Sequence, residues 1–240
     1  MRLRRVECTD GVDCPTVERR DDGWFVVVGD RVERADLPAR EGAVAVPPTL
    51  LPELADLSID DLRSYLFGHH TRDLLRVQTL DFYGVASDGD DFRRYVDGEP
   101  EPDATRKQAW MDQLRSITAS GRAWRNVHVV RTPLSDYLRY AFEWGYAYNI
   151  TAGQDIRILD LTDSPHLAPL ATANDFYVID GQHVVQMVYT SDGRYEGAVA
   201  VGADGVAGYA ALGELAYQLA TPFTLWWEAH PEFHRTARVA

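Results

Sequence analysis

Residues 104–161 alternate between helical and extended patterns, and no other feature constrains the fold as strongly. Ala104 to Ser120 reads as a helix, with Trp110, Leu114 and Ile117 at i, i+4 and i+7 and Gly121 placed just past its end. Arg122 to Arg131 reads as a strand. Thr132-Pro133 predicts a new helix, with Thr132 as N-cap and Pro133 in the first turn. Leu134, Leu138, Ala141 and Phe142 form its expected buried face, and Asp155 to Leu161 is the next strand. Two strands joined through a helix lie parallel in one sheet.

The flanking segments extend this unit in both directions. Asp175–Ile179, His183–Tyr189 and Arg194–Val201 read as strands, with Asp180-Gly181 and Asp192-Gly193 as hairpin turns, which predicts an antiparallel meander. Val206 to Ala220 reads as a helix with Leu212, Leu215 and Leu219 on its buried face. A last helix containing Trp226 and Trp227 follows Thr221-Pro222 and stops at Pro231. Upstream, Ser58 can cap a helix with Leu62 and Leu66 in its stripe. Arg76 to Tyr83 reads as a strand, and Gly89 to Asp97 as an acidic, short-helical stretch. Before Pro47, the runs Thr16–Arg19, Trp24–Val28 and Val44–Val46 are β-prone. The expected class is therefore α+β. A small β module over 1–50 precedes a mixed-sheet α/β domain over 55–240, which carries a C-terminal antiparallel meander and a helical tail. Residues 1–47 hold few apolar positions, so the two regions are expected to pack as one unit.

Composition removes several function classes. The 240 residues carry 24 basic and 37 acidic side chains, a net charge of −13, which repels a phosphate backbone; direct nucleic-acid binding is not expected. No apolar run is long enough to span a bilayer and no secretory leader is legible, so neither a membrane nor export is expected, and the cytoplasm is the expected compartment. Two cysteines, Cys8 and Cys14, exclude a disulfide framework, and alone they lack two ligands of a structural zinc site. They read as reduced residues, with a reversible pair as the alternative. His69-His70 diverge by about 100° on a helix and cannot easily share one ion. No metal and no cofactor are expected.

Three stretches carry a family signal: RNVHVVRTPLSDYLRYAFEW (125–144), AGQDIRIL (152–159) and NDFYVIDGQHVVQMVY (174–189). Through them, Leu75 to His234 resembles an actinobacterial family of domains of unknown function, often encoded near XRE-type helix-turn-helix regulators. CTDGVDCPTVERRDDGWFVVVGDRV (8–32) is similar to a small actinobacterial module that also occurs alone. The order of elements is remotely similar to degenerate phospholipase D-like domains, which serve some regulators as sensor or dimerisation units. The resemblance implies a regulatory or adaptor protein with a protein partner, such as a helix-turn-helix regulator.

The chain's single lysine, Lys107, follows Thr105 by two positions, so the His-x-Lys pair of phospholipase D chemistry is missing. The same fact excludes a Walker A loop, and no Gly-x-Ser-x-Gly elbow occurs. The Gly202–Gly208 run follows an antiparallel strand and reads as a hairpin-to-helix connection. The polar residues of most interest are Arg131, Ser135, Asp136, Tyr137, Arg139, Asp155, Arg157, Asp175 and Asp180. Arg131 beside a helix start could hold a small anion. The same residues also read as a structural network containing an Arg139–Glu143 pair, or as the Asp/Arg cluster of an enzyme of unrecognised type. Tyr137, Tyr140, Trp144, Tyr146, Tyr148 and Trp226-Trp227 read as core packing or as a partner surface.

Overall fold

The computed structural model describes residues 59–84, 90–171 and 174–235, together with the backbone of five short strands before residue 46. The chain divides into two units, Met1–Ala55 and Asp56–Ala240. The first holds an antiparallel sheet of β1 (Arg2–Arg5), β2 (Thr16–Arg19) and β3 (Phe25–Val28), and a hairpin of β4 (Asp30–Val32) and β5 (Ala43–Ala45). Its described residues are all in strands, as its β-branched runs predict. Cys8 and Cys14 lie outside the described residues.

The second unit is built on seven strands: β6 (Asp73–Gln78), β7 (Ala123–Val130), β8 (Asp155–Asp160), β9 (Phe176–Ile179), β10 (His183–Tyr189), β11 (Tyr195–Ala200) and β12 (Thr221–Pro222). Their order across the sheet is β11-β10-β9-β6-β7-β8-β12. β6, β7 and β8 are parallel, while β9, β10 and β11 form the antiparallel meander. At the first hairpin, Asp180 and Gly181 both have positive φ, 53° and 70°, as a two-residue turn of this hand requires. The expected α+β class and mixed sheet are observed.

The helices are α1 (Ile59–His69), α2 (Asp91–Val96), α3 (Ala104–Ala119), α4 (Asp136–Tyr140), α5 (Ala147–Thr151), α6 (Ala203–Leu219) and α7 (Phe223–Ala229). A π-helical turn, Ala141–Tyr146, joins α4 to α5. α6 covers one face of the sheet, where Leu75, Val77, Val127, Val129, Phe176 and Val178 pack against Leu212 and Ala216. On the opposite face, α1 and α3 pack over Leu74, Trp124 and Ile179. The α4–π–α5 segment and α7 pack over Val130, Ile156 and Ile158 on that same face.

Four expectations are corrected. The strand placed at 76–83 runs from Asp73 to Gln78, because the Thr79 N–H leaves the ladder to donate to the Asp175 carboxylate at 2.8 Å. Thr132 is not an N-cap. The Thr132–Pro133 peptide is cis, and Ser135 caps the helix by accepting from Leu138 N at 3.1 Å. Leu215 and Leu219 face outward, 46% and 47% exposed, whereas Gly213 and Ala216 face the sheet. A Cβ on Gly213 would stand 3.0 Å from Leu75, so small residues are what let α6 lie this close. Finally, Glu143 accepts from Arg235 N rather than pairing with Arg139.

Candidate functional site

Strands buried under helices on both faces normally read as apolar throughout. β6 and β7 break that rule on one face only. Alternation puts Leu75 and Val77 under α6 and sends Leu74, Arg76 and Gln78 to the other side. Register then sets Arg76 beside Asn126 on β7 and Tyr177 on β9, and Gln78 beside His128. The result is a polar band across the middle of the face, between the apolar cluster under α1 and α3 and the one under α4–π–α5.

Tyr146, the last residue of the π-turn, reaches this band. Its hydroxyl lies 2.7 Å from His128 Nδ1, 2.9 Å from Gln78 Oε1 and 3.3 Å from Asn126 Nδ2. His128 Nε2 sits 3.0 Å from the Leu80 carbonyl, which can only accept, so Nε2 holds the ring proton and Nδ1 turns its lone pair toward the Tyr146 hydroxyl, whose single proton is shared between Nδ1 and Gln78 Oε1. Burial lowers the His128 pKa to about 4, and the ring is neutral at pH 7. Single π-turns inside helices recur at functional sites, and Tyr146 closes this one.

The other half of the band is charged. Asp175 is 1% exposed; it accepts from Thr79 N and Oγ1 on one oxygen and from the Tyr83 hydroxyl, at 2.7 Å, on the other. Burial raises its pKa, against the pull of Arg76 and of the hydrogen bonds from Tyr83 and Thr79. Arg76 Nη2 is 3.8 Å from Asp175, beyond direct hydrogen-bond range, and its guanidinium lies 5.6 and 5.3 Å from the rings of Tyr83 and Tyr177. Its side chain retains 23% exposure, so solvent reaches it. Two buried polar atoms of the band, Arg76 Nε and Asn126 Oδ1, have no hydrogen-bond partner.

A segment from Thr79 to Gly84 closes the end of β6 beside this cluster. Tyr83 and Thr79 tie it to Asp175, and Gly84 N donates to Gly193 O at 2.9 Å. Gly193 is obligatory there: its φ is +78°, and a Cβ would stand 2.4 Å from the Phe82 carbonyl oxygen. A surface cavity of about 280 Å³ opens between Leu80, Asp81 and Phe82 on one side and Ser191, Asp192 and Gly193 on the other.

The residues singled out from the sequence do not form one cluster. β8 runs parallel to β7 with Asp155 opposite Arg125, so Asp155 and Arg157 lie at the start of the strands. Arg131 lies past the far end of β7, roughly 20 Å away at the rise of an extended chain. Arg157 stacks at 4.0 Å on Tyr217 of α6, whose hydroxyl binds Asp155. Arg139 lies over Phe233 at 5.3 Å, with its Nε buried and without a hydrogen bond. Ser135 donates to the Asp81 carbonyl at 2.7 Å, Asp136 and Arg131 are exposed, and Tyr137 is buried against Phe82 and Phe92. Asp175 is at the heart of the polar band, whereas Asp180 is at the opposite end of β9. Arg76, Gln78, Tyr83, Asn126 and His128 were not anticipated, and Tyr146 reads from the sequence only as core packing or a partner surface. The available signal was the pair Arg76/Gln78 and Asn126/His128, each alternating with apolar residues inside strands that helices cover.

The aromatic surplus is core. Tyr137, Tyr140, Trp144, Tyr146 and Trp226 are all buried, and only Tyr148 of the 137–148 set reaches the surface, at 36% exposure. His69 and His70 diverge, with Nδ1 of His69 bonded to Tyr65 O and Nε2 of His70 to Ala123 O.

A family model, the domain of unknown function DUF6879, matches residues 61–228. The chain belongs to the DUF6879 family. The matched span contains all seven strands of the mixed sheet and the whole polar band. No curated protein matches the chain. Among the described residues, no helix of this DUF6879 protein is long and apolar enough to cross a membrane.

Proposed function

We propose that the DUF6879 domain is a non-catalytic binding module that takes a small anionic ligand at Arg76. The observation that carries this reading is an under-used guanidinium. Arg76 sits among tyrosines and hydrogen-bonds Tyr189; among the described residues its one ion pair is long, and its Nε is buried without an acceptor. Asp175 has already spent both oxygens on Thr79 and Tyr83. A carboxylate or phosphate oxygen would supply the acceptor Arg76 lacks, and arginine offers such groups two parallel N–H bonds. Binding is favoured over catalysis because both nitrogens of His128 are committed to hydrogen bonds.

The protein-partner role rests on the resemblance to actinobacterial domains encoded near helix-turn-helix regulators, and the sensor role on the remoter likeness to degenerate phospholipase D-like domains. A cytoplasmic sensor that passes ligand occupancy to such a regulator combines both. The outward leucines of α6, Leu215 and Leu219, offer the regulator an apolar contact.

Thermal melts of the full chain against acetate, succinate, citrate and inorganic phosphate test the ligand reading. At least one should raise the melting temperature of the wild type, and Arg76→Gln should abolish the shift. No shift with any of the four, or an equal shift in Arg76→Gln, overturns it.

A further inference from the structure

Away from the polar band, three metal-ligating side chains converge where the parallel strands end. Asp160 is the last residue of β8, Asp163 lies in the turn that follows, and His230 is the C-cap of α7. Each offers one ligand atom, and the three atoms lie within 4.8 Å of one another. Around a divalent ion with bonds of about 2.0–2.3 Å, adjacent ligand atoms stand about 3 Å apart and opposed ones about 4.5 Å. The observed triangle is of that size.

The imidazole is prepared for this role. His230 Nδ1 lies 2.7 Å from the Trp226 carbonyl, and its ring stacks on Trp226 with centroids 4.1 Å apart. A carbonyl can only accept, so Nδ1 carries the proton of the neutral ring and Nε2 keeps its lone pair. A carbonyl holding the non-ligating nitrogen is the usual outer partner of a metal-bound histidine. Asp160 is 8% exposed and is positioned by Thr162 N at 2.8 Å and the Trp226 indole N–H at 3.3 Å. Among the described residues, no cationic side chain forms an ion pair with Asp160 or Asp163. Two carboxylates and an imine nitrogen thus face one another with only neutral donors on Asp160 and, among the described residues, no cationic side chain paired with either carboxylate, and a cation is the species that such a set attracts.

We propose that Asp160, Asp163 and His230 bind one divalent first-row transition ion, Zn²⁺ or Mn²⁺ in preference to Mg²⁺ or Ca²⁺. The imidazole sets the preference, since hard alkaline-earth ions take oxygen donors. Three protein ligands leave coordination positions open to water or to an anionic group. The sequence conceals the site because Asp160 and His230 are 70 positions apart and meet only when α7 folds back against the end of β8.

Isothermal titration of Zn²⁺, Mn²⁺ and Mg²⁺ into the chelator-treated full chain tests the proposal. Zn²⁺ or Mn²⁺ should bind with one equivalent per chain and more tightly than Mg²⁺. Asp163→Asn and His230→Gln should each weaken that binding by about tenfold or more. Asp163 is exposed, so its variant keeps the fold; an unchanged far-ultraviolet spectrum checks this. No one-equivalent binding to the wild type, equal binding by folded Asp163→Asn, or tighter binding of Mg²⁺ would overturn the proposal.

Discussion

Asp175 and Asp180 stand at opposite ends of the four-residue strand β9, and the two ends treat a carboxylate in opposite ways. At Asp180 burial works against the charge. The Thr71 hydroxyl and the backbone N–H groups of Asp73, Arg72 and Thr71 outweigh it and hold the carboxyl well below the usual range. Three of those donors are backbone, at a hairpin turn in solvent, so the site clamps the start of β6 to the meander. At Asp175 the donors are fewer, burial is nearly complete and the pKa rises. The first carboxylate has all the partners it can use. The second lies 3.8 Å from a guanidinium that it does not hydrogen-bond. The lesson is that the same side chain is held charged by a full set of short bonds at a solvent-facing turn, whereas burial beside a long ion pair works against its charge.

Breaking the Asp175 end should have the largest effect. Asp175→Ala leaves Arg76 without its ion pair and orphans Thr79 and Tyr83, and should cost about 3–5 kcal/mol in urea denaturation. Acid titration should give the next largest effect. His128 has a folded pKa of about 4 against an ordinary value of 6.5, so the unfolded chain binds a proton that the native one refuses. The resulting stability is complete above pH 6.5 and falls as pH drops toward 4, by about 3 kcal/mol at full loss. Asp175 runs the other way: its raised carboxyl is costly when ionised, and that cost shrinks in acid. A His128→Asn variant should therefore show a flatter stability profile between pH 4 and 6.5 than the wild type.

Gly193→Ala should destabilise by about 2 kcal/mol, because φ +78° is strained for alanine and its Cβ meets Phe82. It should also weaken any anion-induced rise in melting temperature, since Tyr83 of the Thr79–Gly84 segment packs against the Arg76 guanidinium. At the other end of β9, Asp180→Ala should cost about 1–2 kcal/mol, the range for losing a side-chain acceptor of backbone N–H groups, and leave anion shifts unchanged. The stabilisation from Asp180 is present above the usual carboxylate pKa and is lost as pH falls below it, so the variant's deficit should narrow in strong acid. An Asp180→Ala deficit as large as that of Asp175→Ala would collapse the contrast between the two ends.

Much of the architecture was legible. Apolar periodicity in 104–119 and the Asp-Gly turns at 180 and 192 are local signals, and local backbone chemistry decides them. β7 and β8 follow as a parallel pair because a helix-linked strand has few other options. The end of β6 was misplaced because Thr79 is captured by a carboxylate 96 residues away. The buried face of α6 was misread because leucine marks apolarity, but the close approach to the sheet selects Gly213 and Ala216 instead.

By itself the sequence determined the class and the meander, lacks a His-x-Lys pair and a Gly-Lys-Ser/Thr run, and singled out Asp175 as a residue worth watching. Only the tertiary structure decided which polar residues meet. Register puts Arg76 beside Asn126 and Tyr177, the π-turn delivers Tyr146 to His128, and the return of α7 brings His230 to Asp160. These are encounters between distant positions on separate elements. Periodicity reports which face a residue occupies, whereas the neighbours on that face are set by strand order and helix packing.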